Sequence, residues 1–102
     1  MWIDILNEFS KNPRDVHTVP TQKREPVWFH VFCRNTNLYI ESAHEKIPAS
    51  EIAGVRMINK DEYGDMLKLY HRRCNGEKVS QEAQDRTMNQ VYWYGIFAEM
   101  NM

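Results

Sequence analysis

The chain is poor in the residues that many chemistries depend on, holding two cysteines, Cys33 and Cys74, and four glycines among 102 residues. Both cysteines fall inside apolar periodicities, where a reduced thiol behaves as a small hydrophobe, so no disulfide framework is expected and a reducing cytoplasm is the expected setting. There is no CxxC pair and no HExxH, and the glycines form no phosphate-cradling loop, which argues against a zinc motif and a nucleotide enzyme. No serine sits in a GxSxG elbow. The longest apolar run is about eight residues, against roughly 20 for a bilayer span, so no membrane association is expected. The opening Met1-Trp2-Ile3-Asp4 has neither a basic nor a long apolar region, and no secretory signal is expected from it.

Net charge is also lacking. The formal total is −1, which gives no global drive toward nucleic acid or an anionic membrane. Local blocks differ: residues 11–34 carry five cations against two anions, residues 35–67 three against six, and residues 68–86 five against three. No repeat or low-complexity tract is present. What is plentiful is core material, with 42% hydrophobic and 12% aromatic residues, the composition of an ordinary globular domain. A chain of this length buries about two-thirds of its unfolded surface and supports one core.

Trp2, Ile5, Leu6 and Phe9 recur at helical spacing, which predicts an N-terminal helix over 1–12, stopped by Asn12-Pro13. Residues 13–26 are polar and hold Pro13, Pro20 and Pro26, the pattern of an extended arm. From 27 to 102 the chain reads as the core of a single domain. Val27 to Cys33 alternates with bulky residues on both sides, a strand expected to be covered on both faces. Arg34-Asn35-Thr36-Asn37 makes the turn and Leu38–Ser42 the partner strand. Glu51–Ile58 is a candidate third strand with a bulge at Gly54.

Asn59 caps a helix carrying Tyr63, Met66, Leu67, Tyr70 and Cys74 on one face, closed by Asn75-Gly76. Ser80 is placed to cap one long helix to Ala98, whose aromatic run 91–97 is the most apolar stretch of the chain. The rival reading of that run is a strand, because it is rich in β-branched and aromatic residues. The expected fold is α+β: a small antiparallel sheet of two or three strands on a C-terminal helical hairpin, with a short N-terminal helix.

No constellation commits the chain to catalysis. His71 and Cys74 share a helix, but His30 and Cys33 would point to opposite faces of one strand, so no metal site and no cofactor are expected. Cys74 at a helix C-terminus is a poor nucleophile. The acidic residues fall at exposed positions or in a helix's first turn, and only a cleft gathering His30 or His44 with two carboxylates would favour an enzyme.

Two binding readings remain. The first is a non-catalytic adaptor domain engaging a protein partner, or itself as a homodimer, through apolar surface at the chain ends, with Trp2, Phe9, Tyr92 and Met100 as contacts. It rests on the abundance of large apolar residues in so small a domain. The second is a nucleic-acid-binding accessory protein using a basic patch of Lys68, Arg72, Arg73, Lys78 and Arg86, extended by Arg14, Lys23 and Arg24 of the arm. Against it, Arg72 and Arg73 can instead satisfy a helix C-terminus and pair with Glu77 or Asp85.

Overall fold

The computed structural model describes residues 1–102. Helix α1 (Trp2–Lys11) is followed by strands β1 (Arg14–His17), β2 (Trp28–Arg34), β3 (Asn37–Ser42) and β4 (Arg56–Ile58), then by helices α2 (Tyr63–Cys74), α3 (Ser80–Arg86) and α4 (Gln90–Glu99). The fold is α+β, and its sheet has four strands rather than two or three, all antiparallel, in the order β1-β2-β3-β4.

The additional strand comes from the segment read as an arm. Arg14–His17 pairs with β2, placing Val16 opposite Phe29 and Asp15 opposite His30. Just beyond β1, Thr18 donates its backbone N–H to the Val27 carbonyl and accepts from the Val27 N–H with its hydroxyl. Only Val16 among these four strand residues is fully buried, so the strand carries too little alternation to be seen in sequence. At the other edge, only Arg56–Ile58 of the expected 51–58 segment is strand, and Gly54 lies before it at φ +65.

The central hairpin follows the expected register, with Asn35 in the left-handed region at φ 58. Its inner face is fixed by burial: Phe29, Val31, Leu38 and Ile40 are each 0% exposed. Burying a side chain of this kind stabilises by roughly 1.5–3 kcal/mol, and a one-residue slip would exchange all four for Trp28, His30, Tyr39 and Glu41. The expectation that β2 is covered on both sides fails. Trp28, His30, Phe32 and Tyr39 are half-buried, and the core draws on none of them.

All helices pack on the inner face. α1 buries Ile5, Leu6 and Phe9 there, as its periodicity requires. Asn59 accepts from the Asp61 N–H at 2.9 Å ahead of α2, and Gly76 at φ +89 follows its end. Cys74, expected in the core, is exposed. The single long helix expected over 80–98 is two. Thr87 is extended, and its hydroxyl accepts from the Asn89 N–H at 3.0 Å while donating to Glu62 Oε1 at 2.8 Å. A β-branched residue with two such bonds favours a break over continued helix. Ser80 makes no cap bond, being the first residue of α3 after Val79.

α4 is buried around its circumference, with Tyr92, Trp93, Tyr94, Gly95, Ile96 and Phe97 all inside. The strand reading of this run is wrong because the sheet supplies one wall and α2 another, so the apolar stretch from Tyr92 to Phe97 is buried as a helix while Val91 and Glu99 reach the surface. One cluster of 19 buried residues joins the sheet to all four helices.

Candidate functional site

The outer face of the sheet is the one extended surface that no helix covers. Reading across the strands, β1 contributes Asp15 and His17, β2 Trp28, His30, Phe32 and Arg34, β3 Tyr39 and Glu41, and β4 Met57. Phe32 and Tyr39 stack with centroids 5.5 Å apart, Arg34 lies 5.5 Å from the Phe32 centroid, and Met57 opposite Tyr39 is 52% exposed.

The other end of this face is partly covered by the loop after β3. Lys46 Nζ lies 5.6 Å from the Trp28 ring centroid, and the His44 ring stacks on His30 at 3.5 Å with planes 6° apart. The first turn of the loop, His44 to Lys46, is gathered by one carboxylate. Asp15 accepts from the backbone N–H groups of His44 (3.0 Å), Glu45 (2.8 Å) and Lys46 (3.0 Å), and its Oδ1 lies 2.9 Å from His30 Nδ1. Burial opposes the charge on Asp15, but the three backbone donors and His30 outweigh it, and the carboxyl titrates well below the ordinary aspartate range. Asp15, His30 and Glu41 thus form one row across three strands, and Glu41 Oε2 meets His44 Nε2 at 2.8 Å.

The residues expected at a protein interface lie elsewhere, and most of their surface goes into the chain's own core. Phe9 is fully buried with Arg14 above its ring, and Tyr92 is 8% exposed with its hydroxyl 2.8 Å from Ser50 Oγ. Trp2 packs on Tyr63 and Trp93, and Met100 rests against the same core. The chain ends were legible as apolar. What was missed is that a four-stranded sheet provides enough surface to bury them.

The expected basic patch forms in part and is neutralised where it forms. Lys68, Arg72 and Arg86 line a hollow of about 280 Å³ together with Asp65 and Glu82. Arg72 donates to both oxygens of Glu82 and to Glu77, while Arg86 donates to Asp65 at 2.7 Å. These bonds hold the Arg72 and Arg86 guanidiniums above their usual pKa and Glu82 below its own. Arg73 donates to the Val19 carbonyl and covers the Tyr94 ring, and Arg14 pairs with Glu8 and Glu99. Arg24 meets Arg73 across a cavity of about 250 Å³ that also holds Glu25. Lys23 and Lys78 are exposed and stand apart from this hollow.

The histidine expectation has a different outcome. His71 bonds the Met102 carbonyl, away from His30, whereas His30 and His44 are gathered with Glu41 and Asp15 on an open face rather than in a cleft. Strict alternation in β2 placed His30 on the face opposite Phe29 and Val31, but that face was expected to be covered, and nothing in the sequence announced β1, without which Asp15 has no place in the cluster.

No helix is long and apolar enough to cross a membrane. No family model, curated protein or solved structure matches the chain.

Proposed function

We propose that this is a non-catalytic cytoplasmic binding domain whose working surface is the outer face of its sheet, and that the face docks against a second copy of the chain. The observation that carries the reading is the half-buried Phe32–Tyr39 stack on the face that no helix covers, with exposed Met57 beside it, in a chain whose other large aromatics are mostly committed to the core. Apolar surface of this kind gains from being removed from water.

Charge favours a second copy as the occupant. Arg34 stands at one end of the face and Glu41 and Glu45 at the other, about 13 Å apart at the rise of a strand. A two-fold axis lying between the two faces and running across the strands over the Phe32–Tyr39 stack sets the cationic end of each copy against the acidic end of the other, so the surface is complementary to itself. The chain's unpaired cysteines are in keeping with a reducing compartment.

Single-stranded nucleic acid is the rival occupant, since bases stack on aromatic side chains of open sheets. It is disfavoured because Arg14, Arg72 and Arg86 of the expected basic surface are paired with carboxylates and lie away from the aromatic stack.

Benzoylphenylalanine in place of Tyr39 separates these. A second copy crosslinked through β2 or β4 supports the reading. Crosslinking to added oligonucleotide with no protein dimer would replace it with the nucleic-acid reading.

A further inference from the structure

The row Asp15–His30–Glu41 with His44 has a chemistry that the docking role does not require. We propose that His30, Glu41 and His44 bind a divalent transition-metal ion of the zinc class, with Asp15 as the positioning residue for two of the three ligands. One nitrogen from each histidine and one Glu41 oxygen lie within 4.8 Å of one another. Two imidazoles and a carboxylate are a donor set suited to zinc and its neighbours, and three protein ligands leave a fourth position for water.

The sheet dictates part of this geometry. His30 and Glu41 are direct cross-strand partners on the same face, which puts their Cβ atoms about 4.5–5.5 Å apart whatever their rotamers. Asp15 is the partner of His30 on the opposite side. An ionised Asp15 fixes the His30 proton on Nδ1 and leaves the Nε2 lone pair directed away from it. That is the carboxylate–histidine arrangement that orients metal-bound imidazoles. The same carboxylate holds the His44 backbone N–H, so it sets both the ring of one ligand and the main chain that carries the other.

Binding requires one side-chain movement. The stacked His30 and His44 rings direct their in-plane lone pairs side by side, whereas tetrahedral ligation at about 2.0–2.1 Å needs them to converge with donors some 3.4 Å apart. His44 is free to turn, because its side chain is 53% exposed and only its backbone is tied to Asp15, while His30 at 12% stays fixed. Glu41, already 2.8 Å from His44 Nε2, exchanges that hydrogen bond for a shared ion.

The test is titration of the full chain with Zn²⁺ in non-chelating buffer at neutral pH, followed by calorimetry, and with Co²⁺, followed by visible absorption. The expected result is one ion per chain, with the intense visible bands of four-coordinate cobalt. His44→Ala, at an exposed position that leaves the fold intact, should weaken binding about 100-fold or more. Asp15→Asn should weaken it about 10- to 100-fold, as loss of an outer-sphere partner does. His17→Ala, His71→Ala and Cys74→Ser should leave it unchanged. Absence of saturable 1:1 binding would overturn the proposal. So would affinity that survives both His44→Ala and Glu41→Gln, or that disappears with His71→Ala or Cys74→Ser.

Discussion

Phe32 and Tyr39 stack across the β2–β3 register, centroids 5.5 Å apart and planes at 20°, on the side of the sheet opposite the core. A pair of this geometry contributes about 0.5–1.5 kcal/mol beyond its area and gives the hairpin a rigid aromatic surface. Its inner-face counterparts, Cys33 and Leu38, are also cross-strand partners. The hairpin's two faces therefore differ, with one packed into the core and the other carrying an aromatic stack that no helix covers.

Gly95 marks where α4 touches the sheet. A Cβ there would meet the His17 carbonyl oxygen at 2.7 Å and Phe29 ring carbons at 3.0 Å. Helix propensity alone favours Gly95→Ala by about 1 kcal/mol. Overpacking against backbone costs about 1–3 kcal/mol and wins, because the carbonyl belongs to a paired strand. Denaturant unfolding should show Gly95→Ala destabilised, and a variant more stable than the parent would contradict the close approach.

Adjacent aromatics in α4 should respond in opposite directions. Trp93 Nε1 donates to Glu62 Oε1 at 3.0 Å, beside the Thr87 hydroxyl, so Trp93→Phe removes a bond to a carboxylate and should cost about 1.5–3 kcal/mol before packing losses. The buried Tyr94 hydroxyl has no partner, and Tyr94→Phe should be neutral or stabilising by about 1 kcal/mol. Chemical denaturation of the pair checks both.

Asp15 gives the fold an acid limit. Burial raises its pKa and the backbone donors with His30 lower it further, so the folded value lies below the unfolded one. Its contribution to stability is complete above the unfolded pKa of about 3.9 and is lost as pH falls through that value toward the folded one. The melting-temperature gap between the parent and Asp15→Asn should be largest near neutral pH and narrow below about pH 4. A gap independent of pH would contradict it.

The helices and the hairpin were legible because their signals are local: the i, i+3, i+4, i+7 face of α1, the Asn59 cap, the alternation of 27–33 and the turn at Asn35. Several features were not, among them β1 and the break at Thr87. β1 is a strand through its partner, since Asp15 and Val16 have no strand character without β2 beside them. The break at Thr87 depends on Glu62, 25 residues away, accepting its hydroxyl. The first omission altered the site. Without β1, neither the His30 row nor the burial of the chain ends could be anticipated.

The most direct measurement is light scattering over a concentration series, run at low and high salt on the parent chain and on Tyr39→Arg with Met57→Glu. The account predicts a mass that rises toward twice that of the chain, with a dimer that weakens only modestly at high salt because the aromatic contact persists when the Arg34 and Glu41 ends are screened. In the double variant the dimer should weaken at least about tenfold with little change in melting temperature. A parent chain that stays monomeric up to about 1 mM, or a dimer indifferent to both substitutions, would contradict it.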